Sequence, residues 1–140
     1  MDYGFQYAKD RGLELESDYG YTARDGSCKF DSSMVAFTIG GYTDVGQSDS
    51  QLAAAVAQQP VSVAIDANPI QFYTSGVFDD WSCGTQLDHG VLAVGYESGY
   101  WIVKNSWGAN WGESGYFRLA RRDYGTGMCG ITLSASYATA

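Results

Sequence analysis

The residue pair in this sequence best suited to chemistry is His89 with Asn105. His89 is the only histidine among 140 residues. An imidazole can hold and deliver a proton near neutral pH when an acceptor fixes its second ring nitrogen. The side-chain oxygen of Asn105 suits that task. A base with such an orienter is half of a site in which a cysteine is the nucleophile, because the thiolate attacks and the thiol does not.

Two predicted strands would place these residues side by side. His89 comes just before an apolar run that ends at Tyr96, and Asn105 closes a second apolar run that begins at Tyr100. Residues 97–99, Glu-Ser-Gly, predict a tight turn between the runs. Antiparallel strands joined in this way would bring His89 and Asn105 together.

Two segments carry a resemblance to a known family. LDHGVLAVGY, residues 87–96, and YWIVKNSWGANWGESGYFRLAR, residues 100–121, resemble the His and Asn blocks of the papain family of cysteine peptidases. The similarity continues over nearly the whole chain and is greatest to the cathepsin L-like branch. It implies an α+β, papain-like fold and a cysteine endopeptidase that hydrolyses peptide bonds through a thiolate–imidazolium pair.

The resemblance also implies roles for individual residues. His89 would hold the catalytic proton, Asn105 would orient the ring, and Trp107 would cover their contact and exclude water, which strengthens a hydrogen bond. For Trp111 two interpretations stay open, simple packing or a share in this cover. We expect Asp88 to be structural, because the side chains of neighbouring residues in an extended segment point to opposite sides.

The nucleophile of that family is not recognisable here. The family carries it in a Gln…Cys-Gly-Ser-Cys-Trp block near the mature N-terminus, and no such block occurs in this sequence. The chain is therefore expected to be the C-terminal portion of a protease, without the nucleophile or the glutamine of the oxyanion hole. We expect the isolated chain to be inactive and marginally stable.

The three cysteines form an odd set, which points to a missing partner or a free thiol. The resemblance implies a disulfide between Cys83 and Cys129. It also implies that Cys28, unpaired in this chain, bonds a cysteine upstream of Met1. The expected partner is therefore the missing left lobe, or a second chain of the same enzyme.

The resemblance divides the chain into two parts. Residues 1–37 would be a remnant of the helical left lobe, and residues 38–140 the β-rich, barrel-like right lobe that carries the catalytic histidine and asparagine. Within the right lobe, alternating apolar residues predict strands over 61–66 and 115–120, and residues 121–125 predict a turn.

Two helices are predicted from periodicity and end signals. Residues 1–12 predict an amphipathic helix with Met1, Phe5 and Ala8 inward and Gly12 as the C-terminal cap.

The second helix has a capping-box signature, with Ser48 as N-cap and Gln51 reaching back to the backbone of Ser48. It is predicted over residues 52–59, with Leu52 and Val56 inward, and Pro60 would stop it.

Substrate choice follows from the resemblance, which places Met1, Ala64, Gly90 and Ser134 along the main specificity pocket. Three of these side chains are small and leave room, and Met1 adds an adaptable apolar wall. We expect the enzyme to prefer a bulky apolar residue, Leu or Phe, at that substrate position.

The net charge and the motifs of the sequence limit the classes of binding partner that we expect. The net charge of −8 argues against nucleic acid and anionic membranes. The sequence has no phosphate-binding glycine loop, and its cysteines lack metal-ligand spacing, so neither a cofactor nor a metal is expected. A peptide or protein substrate and a lysosomal, vacuolar or secreted location are implied by the resemblance.

Two other functions compete with that of a protease. One is a catalytically inactive papain-fold homologue that acts as a binding or structural protein. The other, which we disfavour, is a stable interaction module formed by this chain alone, since it would expose a large apolar face. Retention of both His89 and Asn105 favours the protease.

Overall fold

The computed structural model describes residues 1–122 and 125–140, which fall into two compact units. The first comprises residues 1–43 with 138–140, and the second residues 44–137. The lobe boundary expected after residue 37 stays a prediction. The turn predicted at 121–125 includes residues 123 and 124, which lie outside the described part.

The first unit begins with the predicted helix, α1 (Asp2–Asp10). Gly12 ends it in the left-handed region, at φ +81°, and its N–H donates to the Ala8 carbonyl. The cap is thus confirmed, but the inward face is narrower than expected. Ala8 is buried, whereas Met1 is 40% exposed. Phe5 is half-buried and stacks on Tyr42 at 5.6 Å.

The remaining regular structure of this unit is short. Strands β1 (Leu13–Glu14) and β2 (Val35–Phe37) pair antiparallel, and a 3₁₀ turn at Ser32–Met34 precedes β2. The Asp31 side chain caps that turn by accepting the Ser33 N–H at 2.9 Å.

The second unit is built on a mostly antiparallel sheet. Its strands are β4 (Val61–Ile65), β5 (Val77–Phe78), β6 (His89–Tyr96), β7 (Tyr100–Lys104) and β8 (Tyr116–Ala120). Two further strands, β3 (Gly41–Asp44) and β9 (Ala135–Thr139), run across the boundary of the units. Among the described residues the sheet has the order β3-β9-β4-β6-β7-β8-β5, and β5 joins β8 in parallel.

The alternation of buried and half-buried residues along the strands determines which side chains form the core of this sheet. In β4 buried and half-buried residues alternate strictly, as predicted. The central strands send fully buried side chains to the same core: Val61, Val63, Ile65, Trp101, Val103, Phe117 and Leu119. Burial of a side chain of this size contributes about 1.5–3 kcal/mol to folding, so this set holds β4, β7 and β8 together.

The second helix, α2 (Asp49–Val56), covers β4 and β6. Leu52 and Val56 are buried, as predicted. The helix ends at Val56, earlier than expected, and residues 57–59 form turns before Pro60.

Only half of the predicted capping box forms. The Ser48 hydroxyl accepts the Gln51 N–H at 3.3 Å. The backbone N–H of Ser48 donates instead to the Gly46 carbonyl at 2.8 Å, so the expected return bond from Gln51 was wrong. A turn at residues 46–48 supplies an acceptor that the pattern of residue types does not reveal.

The β6–β7 hairpin has the predicted form. Ala93 pairs with Val103 and Tyr96 with Trp101, with a register irregularity between Ala93 and Gly95. The Glu97 N–H donates to the Tyr100 carbonyl at 2.8 Å and closes the turn.

A disulfide joins Cys83 to Cys129, with Cα atoms 5.0 Å apart and a sequence separation of 46. It ties the loop before β6 to the 3₁₀ turn at Met128–Gly130. Both helices and the seven-stranded sheet of the described residues confirm the α+β class. Neither of these helices has the length and apolar character that a bilayer crossing requires.

The partial capping box gives a test of α2. Ser48→Ala removes the hydroxyl acceptor of the Gln51 N–H and should lower the free energy of unfolding by about 1 kcal/mol. Gln51→Ala leaves that bond in place and should stay within about 0.5 kcal/mol of the parent chain. Urea unfolding followed by circular dichroism measures both, and equal losses would contradict the assignment of the cap to Ser48 alone.

Candidate active site

The structure brings His89 and Asn105 into direct contact. His89 begins β6 opposite Ile65 of β4, and Asn105 directly follows β7. The imidazole Nε2 lies 2.8 Å from Asn105 Oδ1. The Asn105 backbone N–H donates to the Gly115 carbonyl at 2.9 Å, and its side chain is buried. The backbone of β6, β7 and the loop before β8 therefore determines the positions of His89 and Asn105.

The hydrogen bonds also define which imidazole nitrogen is protonated. Asn105 Oδ1 accepts the Ser106 backbone N–H at 2.8 Å, which identifies this atom as the oxygen of the amide. An amide oxygen can only accept, so His89 Nε2 carries a hydrogen and donates it. In the neutral ring the other nitrogen, Nδ1, is then the one that can accept a proton.

Trp107 stacks on the imidazole of His89. Its ring lies 4.8 Å from the His89 ring at an interplanar angle of 25°, while 38% of the residue stays exposed. It therefore covers one face of the imidazole. Trp111 meets Trp107 edge-to-face at 5.0 Å. Trp111 thus packs against the ring that covers the imidazole, and its share in excluding water stays a prediction.

Asp88 has the structural role expected for it. Its Oδ1 accepts the Ala67 N–H and its Oδ2 accepts the Asn68 side-chain N–H, both at 2.8 Å. The Asp88 N–H donates to the Ile65 carbonyl. Asp88 therefore anchors the loop after β4 beside His89, and its carboxylate is engaged by Ala67 and Asn68.

An open pocket of about 190 Å³ lies next to the imidazole, lined by Ala67, Asn68, Gln71, Asp88, His89 and Trp107. Sequence reasoning did not single out Asn68 or Gln71. Neither belongs to a motif, and the hydrogen bonds of Asp88 bring their loop to the site.

The strand register brings three of the four expected specificity residues together. Ala64 of β4 pairs with Gly90 of β6, and the Ala64 N–H donates to the Ser134 carbonyl at 3.0 Å. A side-chain carbon built at Gly90 would meet nothing within 4 Å, so space is open there. Met1 belongs to the other compact unit, and its place in the pocket stays a prediction.

An ion pair that sequence reasoning missed braces the loop before β8. Arg118 donates through Nε and Nη2 to the Glu113 carboxylate, the shortest contact being 2.6 Å, and the Gly76 N–H donates to the same carboxylate at 2.9 Å. The Arg118 hydrogen bonds, followed by that of Gly76, lower the pKa of Glu113 to about 2. The carboxylate raises the pKa of Arg118 in turn.

The third cysteine, Cys28, is an exposed free thiol in the first unit, beside Tyr7, Glu14 and Tyr19. Its expected bond to an upstream cysteine stays a prediction. Over the part of the chain that the structure describes, no cluster of three or more His, Cys, Asp or Glu residues could hold a metal ion.

Comparison of the sequence with known proteins identifies the family that the His and Asn segments resemble. The family model described as papain family cysteine protease matches residues 1–139. The probable cysteine protease RD21B of Arabidopsis thaliana is 51% identical over 147 aligned positions, which cover 98% of this chain and 32% of the relative. The chain thus spans about a third of the length of this curated relative.

Solved structures agree in fold. Procathepsin L 3 from the larval midgut of Tenebrio molitor superimposes with a TM-score of 0.91 at 48% identity, covering all of this chain and 48% of the other. The bromelain protease of Ananas comosus, solved with the E64 inhibitor, gives a TM-score of 0.89 at 41% identity, covering 99% of this chain and 68% of the other.

The ion pair between Glu113 and Arg118 predicts a stability change in acid. Because the folded-state pKa of Glu113 is about 2 and its ordinary value is 4.5, its contribution is complete above pH 4.5 and is lost as the pH falls through 2. Glu113→Gln should lower the free energy of unfolding at pH 6 and make it less dependent on pH below 4.5. Urea unfolding at pH 3 to 6 measures this.

The matched control is Glu97→Gln, which neutralises an exposed glutamate in the β6–β7 turn. This variant should keep the parent slope. A Glu113→Gln chain whose stability falls with acid as steeply as that of the parent would contradict the assignment.

Proposed function

Because the chain belongs to the papain family of cysteine proteases, we propose that it supplies the histidine and asparagine of a cysteine endopeptidase site. The observation that carries this proposal is the 2.8 Å contact between His89 Nε2 and Asn105 Oδ1, since it leaves Nδ1 as the proton-exchanging atom. An imidazole oriented in this way by a neutral amide suits a base that must pair with a thiolate.

The proposed reaction has two steps. A cysteine thiolate, stabilised by protonated His89, attacks the carbonyl carbon of the scissile peptide bond. His89 Nδ1 then delivers its proton to the leaving nitrogen, the carbon–nitrogen bond breaks, and a thioester remains. Water, deprotonated by the same nitrogen, hydrolyses the thioester and regenerates the ion pair.

The thiolate is proposed to come from a part of the enzyme other than this sequence. Cys83 and Cys129 are consumed by their disulfide, and the resemblance assigns Cys28 to another disulfide. The family's nucleophile block is absent from the 140 residues. The left lobe, carried on the same polypeptide or on a second chain bonded through Cys28, would supply it.

Peptide or protein is the proposed substrate class. The pocket between His89 and Gln71 would accept the segment after the scissile bond, because His89 must reach the leaving nitrogen. The open space at Gly90, beside Ala64 and Ser134, supports a bulky apolar residue, Leu or Phe, before the bond. Equal cleavage of phenylalanine and arginine versions of one peptide would exclude that preference.

A lysosomal, vacuolar or secreted location is proposed along with the activity. The disulfide between Cys83 and Cys129 supports it, because disulfides persist in oxidising compartments and are rare in the cytosol.

The composition of the native protein tests the origin of the nucleophile. Mass spectrometry without reductant should show a species heavier than the 15.1 kDa chain, and reduction should release that chain if Cys28 holds a second polypeptide. A longer single polypeptide that contains this sequence would place the lobe on the same chain. A lone 15.1 kDa species with one free thiol would contradict the proposal and direct attention to binding partners.

Substitutions in the complete enzyme test the roles of the pair. His89→Ala should lower kcat/KM for a peptide substrate by about 10²–10⁴-fold, because the proton carrier is lost. Asn105→Ala should cause a smaller loss that falls mainly on kcat, because the imidazole remains but is no longer held. Steady-state peptidase assays measure both.

Asn110→Ala is the matched control, since Asn110 is an exposed asparagine in the loop that follows the pair, and it should keep the parent rate. A complete enzyme without peptidase activity would favour the inactive homologue instead.

A further inference from the structure

The cover over the imidazole is itself supported by a second indole. Trp107 stacks on His89, and Trp111 meets Trp107 at 5.0 Å with an interplanar angle of 86°. Edge-to-face contacts of this kind contribute about 0.5–1.5 kcal/mol beyond the burial of area. Because 38% of Trp107 faces solvent, its contact with Trp111 restricts where the covering ring can lie.

Trp111 is in turn held by the residues behind it. Its Nε1–H donates to the Gln71 carbonyl at 3.1 Å. Its ring packs on Tyr73 at 5.6 Å and on Phe117 at 5.8 Å. Phe117 is fully buried on β8, so it forms part of the sheet core. Tyr73 is different, since it belongs to the connection between β4 and β5.

Tyr73 is fastened by its hydroxyl as well as by its ring. Only 8% of the residue is exposed. The hydroxyl donates to the Gly76 carbonyl at 2.6 Å and accepts the Arg118 backbone N–H at 3.2 Å. Burial raises the pKa of Tyr73, so the hydroxyl keeps the hydrogen that it donates. The ring is therefore bound to both β8 and the turn before β5.

The loop after Trp111 passes close to the Tyr73 ring. Gly112 has φ +56°, a left-handed conformation that favours glycine. A side-chain carbon there would lie 3.1 Å from the Tyr73 ring and 2.6 Å from the Tyr116 carbonyl oxygen. The loop thus runs close along Tyr73, and Glu113 then fixes its far side through Gly76 and Arg118.

We propose that Tyr73 is a positioning residue of the site, holding Trp111, and through it Trp107, over the imidazole that is bound to Asn105. No substrate contact is assigned to it. Because this role takes His89 and Asn105 as the working pair, it rests on the proposed function. Loss of Tyr73 would leave the sheet intact but allow both indoles to move and water to reach the hydrogen bond.

The single histidine allows this to be measured without catalysis. In this chain, the carbon-bound imidazole protons of His89 report the ring current of the stacked Trp107. Exchange of the Ser106 amide, which donates to Asn105 Oδ1, reports local opening. Tyr73→Leu should shift the His89 resonances toward those of Trp107→Ala and should speed Ser106 exchange. Tyr73→Phe keeps the ring and should change both in the same direction but less.

The matched control is Tyr96→Leu. Tyr96 packs its ring on buried Trp101 at 5.7 Å, at the far end of β6 from His89. This variant also loses an aromatic contact and some stability, but it should leave the His89 resonances and the Ser106 exchange rate in place. The comparison separates positioning from a general weakening of the fold.

The outcomes distinguish this proposal from the proposed function. Unchanged His89 resonances and Ser106 exchange in Tyr73→Leu, or changes equally large in Tyr96→Leu, would overturn the positioning role. If Tyr73→Leu does not fold, the same two readouts in Tyr73→Phe decide the question, and parent values there would overturn it. An enzyme without peptidase activity would refute the function, yet both readouts would still report on Tyr73.

Discussion

The oxygen of one buried amide determines how the histidine of this site is presented. Asn105 Oδ1 accepts from the imidazole and from the Ser106 N–H, so the amide cannot rotate without losing both bonds. Its Nδ2 atom is buried without a hydrogen-bond partner among the described residues. Leaving a donor unsatisfied costs about 1–3 kcal/mol. The two bonds to Oδ1 therefore hold the side chain in an orientation that leaves its own buried donor unpaired.

The amide directly follows β7, which with β4 and β6 forms the centre of the sheet. The sequence predicts these strands because their patterns are local. The alternation in β4, the apolar runs of β6 and β7 and the turn after Tyr96 are local patterns, so they predict the hairpin that joins His89 to Asn105. The inward pair Leu52 and Val56 of α2 is equally local. The cysteine pairing and the role of Trp107 needed the family resemblance, because no spacing rule within one chain specifies them.

The remaining features depend on contacts that no local pattern encodes. Tyr73 meets the backbone of Arg118, and Gly76 meets Glu113, across 45 and 37 positions of the chain. Each is a single residue in an irregular connection, and its neighbours in sequence show no period. The return bond predicted from Gln51 is missing for a similar reason, because the Ser48 N–H donates to the nearby Gly46 carbonyl instead. Composition reveals the parts of such networks but not which partner each polar group will find.

The register of β6 has a consequence for how the chain can change length. His89 opposes Ile65, and Gly90 opposes Ala64, so an extra residue near the start of β6 would move the imidazole to the other face of the sheet. Between Ala93 and Gly95, β6 already has one extra residue relative to its partner β7. Insertions and deletions should therefore be tolerated in the loop at residues 79–87, which the disulfide holds at its middle residue, Cys83, and not between His89 and Asn105.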